Sequence, residues 1–231
     1  MVSVCMAVKN GAAFVEQQVE SILCQLHAGD ELIVSDDHSS DSSLEIIKNF
    51  QDPRIKISSS PRHGMIHNFE QALSYSSGDF IFLADQDDVW HPEKLSTMLP
   101  HLAVYDMVVC DCVLVSTNLD ILNNSFFEMN RSGKGFVRNL ISNSYMGCCM
   151  GFHRRVLQRA LPFPGDNVIH DLWIGMIAET HYKSMFLKKP LVSHRLHGSN
   201  ASTSGRRSRT SPINRMTQRY QLVRNLISRS L

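Results

Sequence analysis

Two periods of apolar residues alternate along the first half of the chain. Val2 to Val8 alternates as a strand does, and from Asn10 to Leu26 the apolar positions Val15, Val19, Ile22, Leu23 and Leu26 recur at helical spacing. Glu31-Leu32-Ile33-Val34 then reads as a short strand, Asp41 to Phe50 as a helix, and Ile55 to Ser58, placed after Asp52-Pro53, as a strand. Met65 to Tyr75 is helical in pattern and Phe80 to Ala84 is a third short apolar run. This alternation predicts an α/β fold with a mostly parallel central sheet, and the right-handed crossover rule places helices on both of its faces. Val108 to Val115 reads as a further strand. The polar stretch from Ser116 to Arg131 reads as a long loop of the kind that covers a substrate.

The ends of the strands carry the chemistry. Phe80-Ile81-Phe82-Leu83-Ala84 runs directly into Asp85-Gln86-Asp87-Asp88-Val89-Trp90. Carboxylates gathered at the edge of an apolar strand are costly to hold together unless a cation or hydrogen-bond donors answer them. Open α/β sheets bind ligands outside the carboxyl ends of their strands. Hard oxygen ligands suit Mg2+ or Mn2+, which complete their shells with substrate phosphates and water. A solvated acidic turn, with Asp88 capping a helix that starts near His91-Pro92-Glu93, would give the same letters. A second acidic strand end, Val34-Ser35-Asp36-Asp37-His38-Ser39-Ser40-Asp41-Ser42, favours a site: two adjacent strands would offer carboxylates to one crevice, while Asp41 or Ser40 N-caps the next helix.

Three ordered motifs now stand in view: Val2-Ser3-Val4-Cys5-Met6-Ala7-Val8-Lys9-Asn10-Gly11, Val34 to Asp41, and Ala84 to Trp90 with Pro92 and Leu95 behind it. Together the sequence resembles the family 2 glycosyltransferases of GT-A fold, closely over the first hundred residues and more weakly to about residue 200. The resemblance implies a Rossmann-like, mostly parallel sheet flanked by helices and a nucleotide-diphosphate sugar donor. On it, Ala7, Lys9, Asp36, Asp37, Asp85 and Gln86 would line the donor site, with Asp36 or Asp37 near the base. Asp85-Gln86-Asp87 would be the "DxD" that holds ribose, metal and diphosphate, with Mg2+ or Mn2+ on Asp87 and Asp85.

The second half should supply the acceptor side. Tyr145-Met146-Gly147-Cys148-Cys149-Met150-Gly151-Phe152 is small and apolar, and its glycines fit either core packing or close backbone approach near a ligand. In Ile169-His170-Asp171-Leu172-Trp173 a lone acid opens an apolar helix; on its own it reads as an acid favoured by the helix dipole. The family resemblance makes Asp171 the catalytic base, with His170 in place of the usual acidic neighbour. Val192-Ser193-His194-Arg195-Leu196-His197-Gly198-Ser199-Asn200 is similar to the arginine and "HGxN" of O-antigen and capsule transferases, which would set Arg195 against the donor diphosphate and make His197 a further metal ligand. The "QxxRW" motif of processive synthases does not occur, nor do membrane spans, so a single-addition enzyme is expected; with Asp171 as base, one in-line displacement would make it inverting.

Composition narrows the frame. With 231 residues, 43% of them hydrophobic, the chain can bury one substantial core. The expected organisation is a glycosyltransferase domain over 1–201, with a donor-binding half over 1–115 and an acceptor half over 116–201, followed by a basic tail over 202–231. Net charge is +1, which gives no global field for nucleic acid. Six cysteines, Cys5, Cys24, Cys110, Cys112, Cys148 and Cys149, match neither a small disulfide scaffold nor a paired C-x-x-C zinc site and read mostly as reduced core residues of a cytoplasmic protein. No signal-like n-region or apolar run of spanning length is present.

The tail carries its own signal. From Ser202 to Leu231 there are seven arginines and no acid, so taking those seven charges from the net +1 leaves the body at −6. Ser211-Pro212 starts a helix well, and Ile213, Met216, Tyr220, Val223 and Ile227 fall on one face flanked by Arg219 and Arg224. That pattern predicts an amphipathic helix on the anionic inner face of the cell membrane, where a glycan acceptor on a polyprenyl-diphosphate lipid would be met. A helix packing on its own domain or on a partner subunit of a homo-oligomer would show the same stripe. Two rival functions remain. A sugar nucleotidyltransferase should have a glycine- and basic-rich phosphate loop after the first strand, where this chain has Lys9-Asn10-Gly11-Ala12-Ala13; a non-catalytic nucleotide-sugar-binding module would bind without turnover.

Overall fold

The computed structural model describes residues 1–165, 169–198 and 212–230, the side chains of 212–215 and 230 excepted. Strands β1 (Val2–Val8), β2 (Glu31–Asp36), β3 (Ile55–Ser59) and β4 (Phe80–Asp85) alternate with helices α1 (Val15–Leu23), α2 (Ser43–Asn49) and α3 (Met65–Tyr75). They lie in the order β3-β2-β1-β4, and every pair is parallel. Val4, Cys5, Met6, Val34, Phe82 and Leu83 are all fully buried. A strand covered on both faces reads as a continuous apolar run, which is what made these segments legible.

Helix α1 begins five residues later than its apolar spacing predicts. Residues 9 to 14 are drawn into a loop held from several sides: Ser39 Oγ accepts from Asn10 N, Ser43 Oγ from Gly11 N, and Asp41 Oδ2 from Ala12 N. Asp41 also accepts from Ser43 N at 3.0 Å, so it serves both the start of α2 and this loop.

The second half turns the sheet mixed. It comprises β5 (Val89–Trp90), α4 (Lys94–Leu102), β6 (Met107–Val115), β7 (Ile121–Asn123), α5 (Phe126–Asn130), α6 (Phe136–Ile141), β8 (Met150–His153), α7 (Arg154–Ala160), α8 (His170–His181), β9 (Ser184–Arg195) and α9 (Pro212–Ser230). β8 runs antiparallel between β4 and β6, β6 pairs in parallel with β9, and β5 closes the far edge antiparallel to β9. Parallel pairing therefore holds throughout the donor-side half, whereas in the half that follows only β6 and β9 pair in parallel and the other pairs are antiparallel. The stretch from Ser116 to Arg131 is likewise no plain loop. It folds as β7 and α5 because Asp111, buried in β6, accepts from Ser125 Oγ and Phe127 N, and Phe126 and Phe127 enter the core.

Helix α9 packs on the body. Leu222 and Leu226 are buried in the common core, and Arg229 donates to the carbonyl oxygens of Arg159, Leu161 and Pro162 at the end of α7. Met216, Tyr220 and Ile227 of the expected stripe stay exposed; the Ile213 side chain is not described and the boundary at 201 lies outside the described residues. Among the described residues no helix is long and apolar enough to cross a membrane. All six cysteines are unpaired, five of them buried and Cys24 exposed.

Candidate functional site

The acidic strand ends meet around β1. Asp36 lies opposite Val8, and Ala7 is flanked by Ser35 on one side and Asp85 on the other. β2 and β4 are thus not adjacent, as the sequence reading had them; β1 separates them. Strand order reverses at β1/β4, the topological position at which open α/β sheets form a ligand crevice.

Both acids of the β2 end are engaged by protein donors. Asp36 accepts from Ser39 N and Ser39 Oγ and shapes the turn. Asp37 is buried and accepts from Lys9 Nζ at 2.8 Å, Gly64 N at 2.9 Å and His63 Nδ1 at 2.9 Å. Burial works against its charge, yet these donors hold its carboxyl below the usual range. Lys9 is further clasped through its backbone, since its N–H donates to Gln86 Oε1 and its carbonyl accepts from Gln86 Nε2. Gln86 therefore ties the β4 end to the β1 end. Gly11 is part of that clasp, because a Cβ there would sit 2.4 Å from Gln86 Oε1.

Three carboxylates follow β4 and each meets a different environment. Asp88 is fully buried and forms an ion pair with His194, Oδ1 to Nδ1 at 2.9 Å, while also accepting from Arg195 N. Burial alone would raise Asp88 and lower His194; their mutual attraction wins, so Asp88 falls below and His194 rises well above its ordinary value. This replaces the solvated capping role that the sequence allowed for Asp88. Asp87 is nearly buried, with His197 Nε2 at 2.8 Å from its Oδ2. Asp85 has no side-chain hydrogen bond among the described residues. Burial and the charges of Asp88 and Asp87 push Asp85 well above the carboxylate range, and burial together with Asp88 raises Asp87 too, against the opposing pull of His197.

Arg195 is held among protein acceptors. Its guanidinium is buried and donates to the carbonyls of Asp87 and Thr117 and to Gln17 Oε1, and it lies 4.8 Å above the Phe14 ring. Those bonds fasten the end of β9 to α1 and to the acidic turn. Phe14 also stacks on the His197 ring at 4.8 Å.

Asp171 stands at the start of α8, half-buried beside this cluster, and its charge adds to the repulsion on Asp85. Gly147 makes the approach possible: a Cβ there would meet His170 Nε2 at 3.2 Å and both Asp171 Cβ and Leu83 Cδ1 at 3.8 Å. Its carboxyl is raised to about 6, by burial first, against the N–H of Leu172, the charge of Arg219 and a bond from the Asn143 side chain. His170 is buried and stacked on Phe69 at 4.2 Å, neither ring nitrogen has a hydrogen-bond partner, and burial lowers it to about 4, so it is neutral at pH 7. Asn143, Gln17, His194 and Arg219 went unremarked as site residues. Each sits in a polar or basic stretch whose letters alone do not single it out.

The donor set fits a divalent cation. Asp85, Asp88, Cys148 and His194 bring one ligand atom each within 4.8 Å of one another, and Asp87 with His197 lies alongside. Asp85 and Asp87 are both raised by burial and by the charge of Asp88, a crowding of like charge that an added cation would relieve. His194 is already paired with Asp88, and of the remaining groups the oxygens of Asp85 and Asp87 with the His197 imidazole suit Mg2+ or Mn2+.

Comparison with known proteins supplies the family and the fold. The sequence model described as glycosyl transferase family 2 matches residues 3–161, more than two thirds of the chain. The chain belongs to glycosyl transferase family 2. A relative within reach of this family 2 chain is UDP-Glc:alpha-D-GlcNAc-diphosphoundecaprenol beta-1,3-glucosyltransferase WfgD of Escherichia coli, 26% identical over 211 residues that make up 88% of this chain and 80% of the relative. Another is dTDP-rhamnosyl transferase RfbG of Shigella flexneri, 25% identical over 84% of this chain and 72% of that one. Among solved structures, S. aureus TarS 1-349 in complex with UDP-GlcNAc superposes with a TM-score of 0.76 at 18% identity, over 99% of this chain and 66% of that one. Mannosyltransferase PcManGT from Pyrobaculum calidifontis, in complex with GDP-Man and Mn2+, gives 0.65 at 19% identity over 86% and 58%. The family 2 chain thus spans less than two thirds of these solved chains. At such identities they establish the fold alone, the GT-A arrangement that the motifs implied.

Proposed function

We propose that this chain is an inverting glycosyltransferase that moves a single sugar from a nucleotide-diphosphate sugar to a hydroxyl of a glycan acceptor. The observation that carries the reading is the nearness of two kinds of acid: Asp85 and Asp87, crowded by burial and by Asp88 at the end of β4, and Asp171, raised by burial to about 6 at the start of α8. The first pair suits the diphosphate end of a donor, and the second acid suits proton removal at the operating pH. The end of β1 at Ala7 and Lys9, with Asp36 and Asp37, forms the nucleoside side.

Asp87, with Asp85 and His197, would hold Mg2+ or Mn2+. When bound, such an ion neutralises charge growing on the leaving nucleotide diphosphate. Asp171 accepts the proton of the acceptor hydroxyl while that oxygen bonds to the anomeric carbon and the bond from this carbon to the diphosphate oxygen breaks. One displacement inverts the anomeric centre and calls for no nucleophilic Ser or Cys. Arg195 positions the acidic turn.

The substrates of the relatives support a UDP- or dTDP-linked donor and an acceptor carried on a polyprenyl diphosphate, met at the inner face of the cell membrane in surface polysaccharide synthesis such as O-antigen or capsule. Asp87→Ala should abolish metal-dependent binding of the nucleotide diphosphate while leaving the unfolding transition in place, because removing one of several repelling acids seldom destabilises. Calorimetric titration of UDP and dTDP with Mn2+ checks this; unchanged affinity in the variant refutes the assignment.

A further inference from the structure

Asp37, His38 and His63 stand together at the end of β2, and share no residue with the acidic turn that follows β4. Each presents one ligand atom, and the three atoms lie within 4.8 Å of one another. Asp37 is buried while both histidines are exposed, so the cluster has a fixed base and an open outer side. The two oxygens of Asp37 are unequally occupied. Oδ2 accepts from both Lys9 Nζ and Gly64 N, whereas among the described residues Oδ1 accepts from His63 Nδ1 alone, at 2.9 Å. The His38 ring lies 4.7 Å from that of His63, centroid to centroid, and makes no hydrogen bond among the described residues. The backbone is bent to bring these groups together: His38 sits at φ 54°, a left-handed conformation that a residue other than glycine adopts at a cost, and Gly64 at φ 108° turns its N–H onto Asp37. Ser39 donates to both oxygens of Asp36 and accepts from Asn10 N, which fixes the turn that carries His38.

Two imidazoles with one carboxylate oxygen are a ligand set for zinc, since nitrogen donors draw Zn2+ where Mg2+ prefers oxygen. Ligand atoms of a tetrahedral zinc stand roughly 3.3 Å apart for bonds of about 2.0–2.1 Å. The 2.9 Å between His63 Nδ1 and Asp37 Oδ1 is close to one edge of such a shell. We propose that Asp37, His38 and His63 form a zinc site, with Asp37 Oδ1 and one nitrogen of each imidazole as protein ligands and water in the fourth position. Zinc takes the place of the proton between His63 and Asp37, which passes through solvent to His63 Nε2. Lys9, whose side chain is 53% exposed, has room to turn away from the added charge. The site lies on the nucleoside side of the crevice, so zinc bound there opposes the donor. That consequence rests on the reading of Lys9 and Asp37 as nucleoside residues; the metal site itself does not.

Zinc bound by the full chain is counted by equilibrium dialysis in excess Mg2+, which competes for the carboxylates of the acidic turn. His38→Gly is the main variant, because glycine takes positive φ without strain and the turn keeps its shape. His63→Ala is the second, and His27→Ala, at another exposed histidine, is the control. Wild type and His27→Ala should hold one more zinc per chain than His38→Gly and His63→Ala, whose affinity for that ion should fall at least tenfold. Thermal unfolding scans without zinc show that each variant is folded. Equal zinc uptake by wild type and folded His38→Gly overturns the proposal, and so does an equal loss in His27→Ala, which would mark adventitious binding to surface histidines. Titrations of UDP and dTDP in Mg2+ then separate the site from the functional reading. Added zinc should weaken wild-type nucleotide binding at least tenfold and leave that of His38→Gly unchanged. If the extra zinc binds and nucleotide affinity does not move, the metal site stands and the placement of the nucleoside beside Asp37 has failed.

Discussion

Asp171 owes its proton affinity to burial, and this couples activity to stability. A carboxyl raised to about 6 in the folded chain, against roughly 3.9 unfolded, favours the neutral form in the fold. Its contribution to stability is therefore present at low pH and is lost as pH rises through about 6, which is where the carboxylate needed for proton removal appears. Two outcomes follow for this residue. Transfer at saturating donor should rise about tenfold per pH unit below 6 and level off above it, as for a single essential base. Asp171→Asn should lower transfer by roughly 100- to 10,000-fold, abolish that limb, and at pH 8 unfold no earlier than the wild type, since a group that costs stability when ionised has been made neutral. A pH series of initial rates with thermal scans of both proteins measures this; a variant with near-normal turnover would return Asp171 to the role of a helix-start acid. Much of this residue's setting was legible, because a single acid between Ile169 and an apolar run stands out. The bonds that position Arg195 were not legible: its partner Gln17 is 178 residues away, and no local pattern shows such a pairing.

At the level of elements, legibility followed the symmetry of burial. Strands covered on both faces, and helices with one apolar stripe, announce themselves by period, and β1 to β4 with α2 and α3 fall within a few residues of their expected places. The antiparallel strands of the second half do not, since β8 is four residues long and β5 only two, and their direction is set by pairing partners far away in sequence. The stretch from Ser116 to Arg131 shows a signal that was present and outweighed by polarity: Ser125-Phe126-Phe127-Glu128 has the spacing of a capping box before two aromatics. In the structure Ser125 Oγ accepts from Glu128 N at 3.0 Å and donates to Asp111, so one hydroxyl fixes the helix start and binds the element to β6. Ser125→Ala should therefore cost more than the about 0.5–2 kcal/mol of a lost cap, because buried Asp111 also loses a donor. Urea unfolding of the variant beside Ser125→Thr decides it: Thr keeps both bonds and should recover most of the loss, whereas equal losses would show that size, and not the hydroxyl, matters there.

On the scale of the whole molecule, the chain is an acidic body carrying a cationic helix, a division hidden by a net charge of +1. The sequence pointed to one apolar stripe on that helix, and the structure resolves two apolar sets with different environments. Leu222 and Leu226 are 7% and 3% exposed and belong to the core, whereas Met216, Tyr220 and Ile227 are 74%, 70% and 59% exposed. Spacings of four and seven residues keep those three on one side of α9, with Arg224 exposed as well. Apolar groups presented outward beside arginines are suited to entering the headgroup region of an anionic membrane, with guanidinium groups reaching lipid phosphates. Packing on the body and lying on a bilayer are then compatible, because they use different faces. Replacing Met216, Tyr220 and Ile227 together with Glu should abolish sedimentation with anionic vesicles while the unfolding midpoint and UDP binding with Mn2+ stay as in the wild type, since those side chains contribute little to the fold. Leu222→Ala with Leu226→Ala should do the reverse and lower the midpoint, because buried methyl groups are lost and a cavity is left. Truncation after Ala201 should remove sedimentation and leave soluble donor binding. Raising ionic strength should release the wild type, as expected for attraction that salt screens. If the full-length protein does not sediment with anionic vesicles at low salt, the exposed face of α9 is not a membrane surface.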